Sequence, residues 1–382
     1  MQDPPLAGEA ACGARTRVAG AGPMTGERRF LAACRLEPVD ATPVWYMRQA
    51  GRGIREYELM RDRYGVLGIA RTPELAARAS VLPVSAYGVD AAVMYADVML
   101  PTGPMGVEFD LTPEGPVLAA PFRSPADVAR LRAYEPEDEL AFAMEAIRIA
   151  RRELGGRQAL IGIAGGPFTL AAYLVEGRAT RDQATARAFM YAQPEAWHDL
   201  LSRIAEVGRR YVAAQVHAGV QAVQVFDTWA GTLSPADYEA YVLPHASRLI
   251  EGARDVPVIH YAAGGSGLVE LLVRAGADVV GVDARASLDE AWSRAGTGVG
   301  IQGNLDGARL LAGWDAAEPG ARHVLDEAAG RPGHIFNLGH GILPGTDPAL
   351  LARLADFVHQ ESAKRPAAKR TGGRRATTEV SA

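Results

Sequence analysis

Eight apolar runs of strand length recur along the 382-residue chain, and most gaps between them carry helical periodicity. The runs are Pro43–Met47, Ala91–Tyr95, Leu160–Ala164, Ala222–Phe226, Pro257–His260, Asp278–Val282, Val299–Gln302 and His334–Leu338. They are continuous rather than alternating, the pattern of strands buried on both faces of a parallel sheet. Among the gaps, 137–154 predicts a helix with Leu140, Met144, Ile147 and Leu154 on one face. In 194–217, Pro194 suits a first helical position, and Trp197, Leu201, Ile204 and Tyr211 follow one face. Strands alternating with helices in this number predict an α/β fold, a closed (β/α)8 TIM barrel in a single domain. Val107, Phe109 and Leu111 alternate ahead of Thr112-Pro113-Glu114-Gly115, which predicts a hairpin inserted after the second strand. An open doubly wound sheet competes, but no Gly-rich dinucleotide turn follows an early strand.

The ends differ from the middle. Residues 1–24, rich in Gly, Ala and Pro and lacking an apolar core, are expected to be a disordered leader. Residues 25–361 are expected to form the barrel and 362–382 a basic disordered tail, with six basic residues between Lys364 and Arg375. No run reaches the roughly 18 apolar residues needed to span a bilayer. A formal charge of −5 gives no general attraction to nucleic acid or anionic membrane, so neither is expected as a partner. The two cysteines, Cys12 and Cys34, exclude a disulfide scaffold and suit a reducing cytosol. Of 40 basic residues only Lys364 and Lys369 are lysine. Schiff-base chemistry needs an amine that can lose its proton, which arginine cannot supply. Pyridoxal-phosphate enzymes, lysine aldolases and P-loop proteins are thereby set aside.

A barrel places its active site at the carboxyl ends of the strands, so the residues just beyond each run are informative. The first run leads into Arg48-Gln49-Ala50-Gly51-Arg52, and the second into Asp97. The third leads into Gly165-Gly166-Pro167-Phe168-Thr169, with Tyr173 one helical turn later, and the fourth into Asp227-Thr228-Trp229. The fifth ends at His260-Tyr261, the seventh leads into Gly303-Asn304-Leu305-Asp306, and the eighth ends at Gly339-His340-Gly341. Arg48 and Arg52 are four apart, a spacing that puts two guanidinium forks on one side of a turn, either as ordinary surface salt-bridging arginines or, with glycine between them just after a barrel strand, as a pair for an anion. Asp97 is a carboxylate in an apolar stretch, either a helix cap or buried partner of an arginine, or the acceptor for an N–H-rich ligand. His340 between glycines suits ligand contact, whereas Tyr173 and Thr228 alone are also ordinary packing residues. His198, His217, His245, His323, His334 and His359 fit structural positions, and His260 is open. No zinc-type spacing of His and Cys occurs, so no metal is expected.

These strings resemble the uroporphyrinogen decarboxylase family. The matching stretches are Pro43-Val44-Trp45-Tyr46-Met47-Arg48-Gln49-Ala50-Gly51-Arg52, Gly165-Gly166-Pro167-Phe168-Thr169-Leu170 running to Tyr173, and Val225-Phe226-Asp227-Thr228-Trp229-Ala230-Gly231. Gln302-Gly303-Asn304-Leu305-Asp306 and Phe336-Asn337-Leu338-Gly339-His340-Gly341-Ile342 come next in order, so the match spans roughly 26–360. The resemblance implies a single-domain barrel, a homodimer and a cofactor-free carboxy-lyase acting on uroporphyrinogen in the cytoplasm. It implies that Arg48, Gln49, Ala50, Gly51 and Arg52 form a substrate-binding stretch whose two arginines take substrate carboxylates. It further implies that Asp97 accepts the pyrrole N–H groups, and that Tyr173, Thr228 and His340 touch the substrate.

Losing CO2 from an acetate side chain requires an electron sink, and a protonated pyrrole is one. Asp97 would then stabilise the ring cation, with Arg48 and Arg52 holding peripheral carboxylates. Two other functions fit a chain of this kind: a corrinoid-linked methyltransferase on the same barrel, and a non-catalytic tetrapyrrole carrier. The methyltransferase needs zinc held by His and Cys, and no cysteine follows Cys34.

Overall fold

The computed structural model describes residues 23–51, 53–112 and 115–365. The barrel strands are β1 (Ala91–Val93), β4 (Ala159–Gly165), β5 (Ala222–Phe226), β6 (Val258–Tyr261), β7 (Val279–Gly281), β8 (Gly300–Leu305) and β9 (His334–Leu338). They pair in chain order and all parallel. Between β1 and β4, β2 (Phe109–Thr112) and β3 (Gly115–Leu118) form a separate antiparallel pair. Pro113 and Glu114 of the expected turn lie outside the described residues, as do residues 1–22 of the expected leader, residues 366–382 of the expected tail, and Arg52.

The first apolar run closes the barrel as an extended segment with one bridge, Val44 to Phe336. Phe336 N donates to Pro43 O on one side, and Asp90 N donates to Val44 O on the other. Three of its N–H groups go to side chains instead of a ladder. Val44 N donates to Asp90 Oδ2 (2.7 Å), Tyr46 N to Gln49 Oε1 (2.9 Å) and Met47 N to Asn337 Oδ1 (3.0 Å). Every backbone group must find a partner, and here carboxylate and amide oxygens replace carbonyls.

Alternate residues of the strands fill the barrel interior, where Trp45, Met47, Val93, Ile161, Ile259 and Ile335 pack together. A polar chain crosses the same space: Trp45 Nε1 donates to Gln302 Oε1 (2.8 Å), and Gln302 Nε2 to Gln224 Oε1 (3.2 Å). The other faces of the strands pack on the helices. The helix Pro194–Ala218 buries Trp197, Leu201, Ile204 and Tyr211, with Pro194 at its start. The predicted 137–154 helix is divided at Leu140, which is non-helical, into Pro136–Glu139 and Ala141–Leu154. Met144, Ile147 and Leu154 are buried as expected.

At the amino ends of the strands Asp90 ties three segments together. It accepts from Arg29 Nη1 (2.6 Å), Val44 N (2.7 Å) and His359 Nε2 (2.7 Å). This joins the first helix, Gly26–Cys34, to the barrel and to the final helix, Pro348–Ala363. Among the described residues no helix is long and apolar enough to cross a membrane.

Candidate active site

The turn after the closing segment is set by Gln49, whose buried amide accepts from Tyr46 N and donates from Nε2 to Ala91 O (2.8 Å). Arg48 just before it has φ of 64° and an exposed side chain, and its guanidinium has no hydrogen-bond partner among the described residues. Ala50 and Gly51 are half-buried, with Gly51 beside Tyr57 and Tyr95. The Gln49 side chain thus braces the turn that carries Arg48.

Asp97 follows β1. Its Oδ1 accepts from Met99 N (2.8 Å), and no cation lies within salt-bridge distance among the described residues. Burial raises its pKa, against the Met99 N–H and the positive charge of Arg48. Tyr173 is brought to the same place by the helix Pro167–Glu176. Burial, and then the charge of Asp97, push its hydroxyl pKa up to about 12, with Arg48 opposing. Arg48, Asp97 and Tyr173 therefore sit within electrostatic reach of one another.

Thr228 follows β5, half-buried, and its carbonyl accepts from Ala263 N (3.1 Å) in the loop after β6. Trp229 beside it packs its ring on Tyr173, with centroids 4.2 Å apart. His340 follows β9 and is exposed, with its ring nearly perpendicular to that of Tyr261 and the centroids 6.4 Å apart. Gly341 N donates to His340 Nδ1 (2.8 Å), which leaves the proton of the neutral ring on Nε2. Partial desolvation and then Arg48 lower the His340 pKa, so the ring is neutral at pH 7.

The sequence did not point to Asp283 and Arg285, which lie just after β7. Asp283 accepts from Gly264 N and from Arg285 N (3.0 Å), Nε (3.0 Å) and Nη2 (2.5 Å). A cavity of about 200 Å3 opens among Asp283, Arg285, Asp306, Gly339, His340 and Leu343. The signal was available, since Asp283 follows its apolar run as Asp227 follows another. Among the described residues no three His, Cys, Asp or Glu side chains converge as metal ligands. His260 is fully buried, and neither ring nitrogen has a partner among the described residues.

A closed parallel barrel with ionisable and hydroxyl side chains at the carboxyl ends of its strands defines the class, a (β/α)8 protein with its ligand site in the mouth. The family model described as Uroporphyrinogen decarboxylase (URO-D) matches residues 25–361, and the chain belongs to that family. Uroporphyrinogen decarboxylase of Roseiflexus sp. (strain RS-1) is 49% identical over 344 residues, covering 88% of this chain and 99% of the relative. That of Streptomyces coelicolor is 49% identical over 343 residues, covering 89% and 96%. Among solved structures, a methyltransferase from Methanosarcina mazei superposes with a TM-score of 0.75 at 20% identity, covering 88% of this chain and 99% of that one. At that identity the likeness establishes the shared barrel and nothing about chemistry.

Proposed function

We propose that this chain is a carboxy-lyase that converts the four acetate side chains of uroporphyrinogen III to methyl groups, giving coproporphyrinogen III. The observation that carries this is Asp97: a carboxylate at the barrel mouth, beside Arg48 and Tyr173, with one N–H bond to its Oδ1 and no cation partner among the described residues. A macrocycle whose four pyrrole N–H groups point inward supplies the donors such a carboxylate lacks.

The ring dictates the chemistry. A proton added to the pyrrole carbon next to the one bearing the acetate makes a cation. The bond to the carboxylate then breaks, CO2 leaves, and its electron pair forms an exocyclic double bond. A second proton on that methylene carbon, with loss of the ring proton, yields the methyl group. The pyrrole is the electron sink, so the step is written with no prosthetic group. Asp97 stabilises the cation in a water-poor cleft, and Arg48 and Arg52 hold peripheral carboxylates as bidentate forks. Tyr173, Thr228 and His340 line the substrate's path, with Gln49, Ala50 and Gly51 shaping the turn between the arginines. The enzyme is taken to act in the cytoplasm as a homodimer on this small molecule alone.

The test is anaerobic incubation with reduced uroporphyrinogen and separation of products by carboxyl number. Four carboxyls lost per macrocycle is the expected result. Tight binding with all eight carboxyls retained would instead identify a carrier, and zinc-dependent methylation of a thiol would identify a methyltransferase.

A further inference from the structure

Asp227 directly follows β5 and is fully buried, yet its carboxylate serves a different element. Its Oδ1 accepts from Thr169 N (2.8 Å) and from the Thr169 hydroxyl (2.8 Å). Its Oδ2 has no partner among the described residues. The Thr169 oxygen in turn accepts from Trp229 N (3.1 Å). One hydroxyl thus joins the loop carrying Thr228 and Trp229 to the helix carrying Tyr173.

That helix begins at Pro167 with Gly166 as its cap residue, which has no side chain to accept from the first turn. Asp227 supplies the missing acceptor from the neighbouring strand, where its negative charge also suits the helix N-terminus. The approach requires glycine: a Cβ on Gly166 would stand 2.7 Å from Asp227 Cα and overlap its side chain. A Ser or Asp cap at 166 is therefore sterically excluded, and Asp227 takes the capping place while the hydroxyl it holds on Thr169 also accepts from Trp229 N. The arrangement spends a buried carboxylate on that link. Tyr173 lies one turn beyond Thr169, and its ring meets Trp229 at 4.2 Å, so the link and the ring contact bind the same two elements.

We infer that Asp227 and Thr169 are positioning residues that hold Tyr173 and Thr228 in one fixed arrangement at the mouth. The inference rests on the proposed decarboxylase reading for what Tyr173 and Thr228 touch. Small displacements of such groups are costly to a reaction, up to about a hundredfold for about 1 Å.

The experiment compares Thr169→Val, which keeps the shape and loses the hydroxyl, with Thr169→Ser, which keeps it. For each, kcat and KM on uroporphyrinogen, the melting temperature and the near-ultraviolet circular dichroism of Trp229 are measured. The Trp229 signal is isolated by difference against Trp229→Phe. The expected result is a fall in kcat of about tenfold or more in Thr169→Val. KM should change much less, the Trp229 signal should alter, and Thr169→Ser should restore both kcat and the signal. If Thr169→Val does not fold, Thr169→Ala carries the same comparison. A folded Thr169→Val with wild-type kcat and Trp229 signal overturns the inference, and so does a Thr169→Ser that fails equally. If the wild type does not decarboxylate uroporphyrinogen, the functional reading has failed by itself. The Trp229 signal then decides the positioning role, and an unchanged signal in Thr169→Val ends it.

Discussion

The side chain of Arg48 lies across Gly341: a Cβ on that glycine would come within 2.6 Å of Arg48 Cγ. The first and last strands of the barrel thus meet at the mouth through one arginine stem on one glycine. Gly341 also donates its N–H to His340 Nδ1, so it sets both side chains at once. Gly341→Ala is expected to displace Arg48 while leaving the barrel folded, because Cγ and Cδ of Arg48 can swing aside about χ1 and its Cβ, 3.1 Å away, need give only by a few tenths of an ångström. It should lower kcat/KM at least tenfold with little change in melting temperature, and Arg48→Lys should do the same by losing the planar fork. Wild-type kinetics in both variants would remove Arg48 from the carboxylate-binding role.

Asp97→Asn keeps the shape and removes the charge. If the carboxylate stabilises a ring cation, kcat should fall about a hundredfold or more while KM changes much less. A structural acid would instead give a lower melting temperature with kcat per folded molecule intact. Burial raises the Asp97 pKa above the ordinary 3.8, so the ionised form is lost at higher pH than for an exposed aspartate. The acid limb of the wild-type kcat profile should therefore be displaced upward and be absent from the residual activity of Asp97→Asn.

Asp90 predicts the opposite pattern. It is 3% exposed and accepts from Arg29, Val44 N and His359 at the amino ends of the strands, across the barrel from the mouth. Asp90→Ala leaves Val44 N and His359 without their acceptor, and removes one of the two carboxylates on Arg29, which keeps its pair with Asp40. Stability should fall by about 1–3 kcal/mol in chemical denaturation. The kcat of the molecules that remain folded should match wild type.

His260 is buried with neither ring nitrogen paired among the described residues, and burial lowers its pKa to about 4. Between that value and 6.5 the unfolded chain binds a proton at this residue and the folded one does not. Its contribution is therefore fully present above pH 6.5 and is lost as pH falls toward 4, by about 3 kcal/mol in total. Asp227, raised to about 6 by burial, works in the other direction, stabilising the fold less as pH rises from 3.8 through 6. Comparing His260→Leu with wild type isolates the histidine. The variant should gain stability relative to wild type as the pH is lowered from 7 to 4.5, and a pH-independent difference would show that His260 does not titrate as its burial requires.

Strand and helix positions were legible in the sequence because a fully buried strand must be apolar along its whole length. Ala222–Phe226 and His334–Leu338 form strands with the bounds that their composition implies. The mouth was legible for a related reason. In a parallel barrel the residue after each strand is placed by topology alone, so Arg48, Asp97, Thr228 and His340 could be named from their order in the chain. What no local pattern carried were the partners. Pro43–Met47 has strand composition, yet three of its N–H groups go to the side chains of Asp90, Gln49 and Asn337, two of which are distant in the chain. Asp227 looks like one more strand-end acid, and only its close approach to Gly166, at the start of the neighbouring helix, aims its carboxylate at Thr169. His260 sits in an apolar run as though it were a hydrophobic residue, and its unpaired nitrogens emerge only when the surrounding helices close over it. Periodicity and order depend on the backbone and are written locally, whereas hydrogen bonds and charge contacts form between residues that only the closed barrel brings within 3 Å.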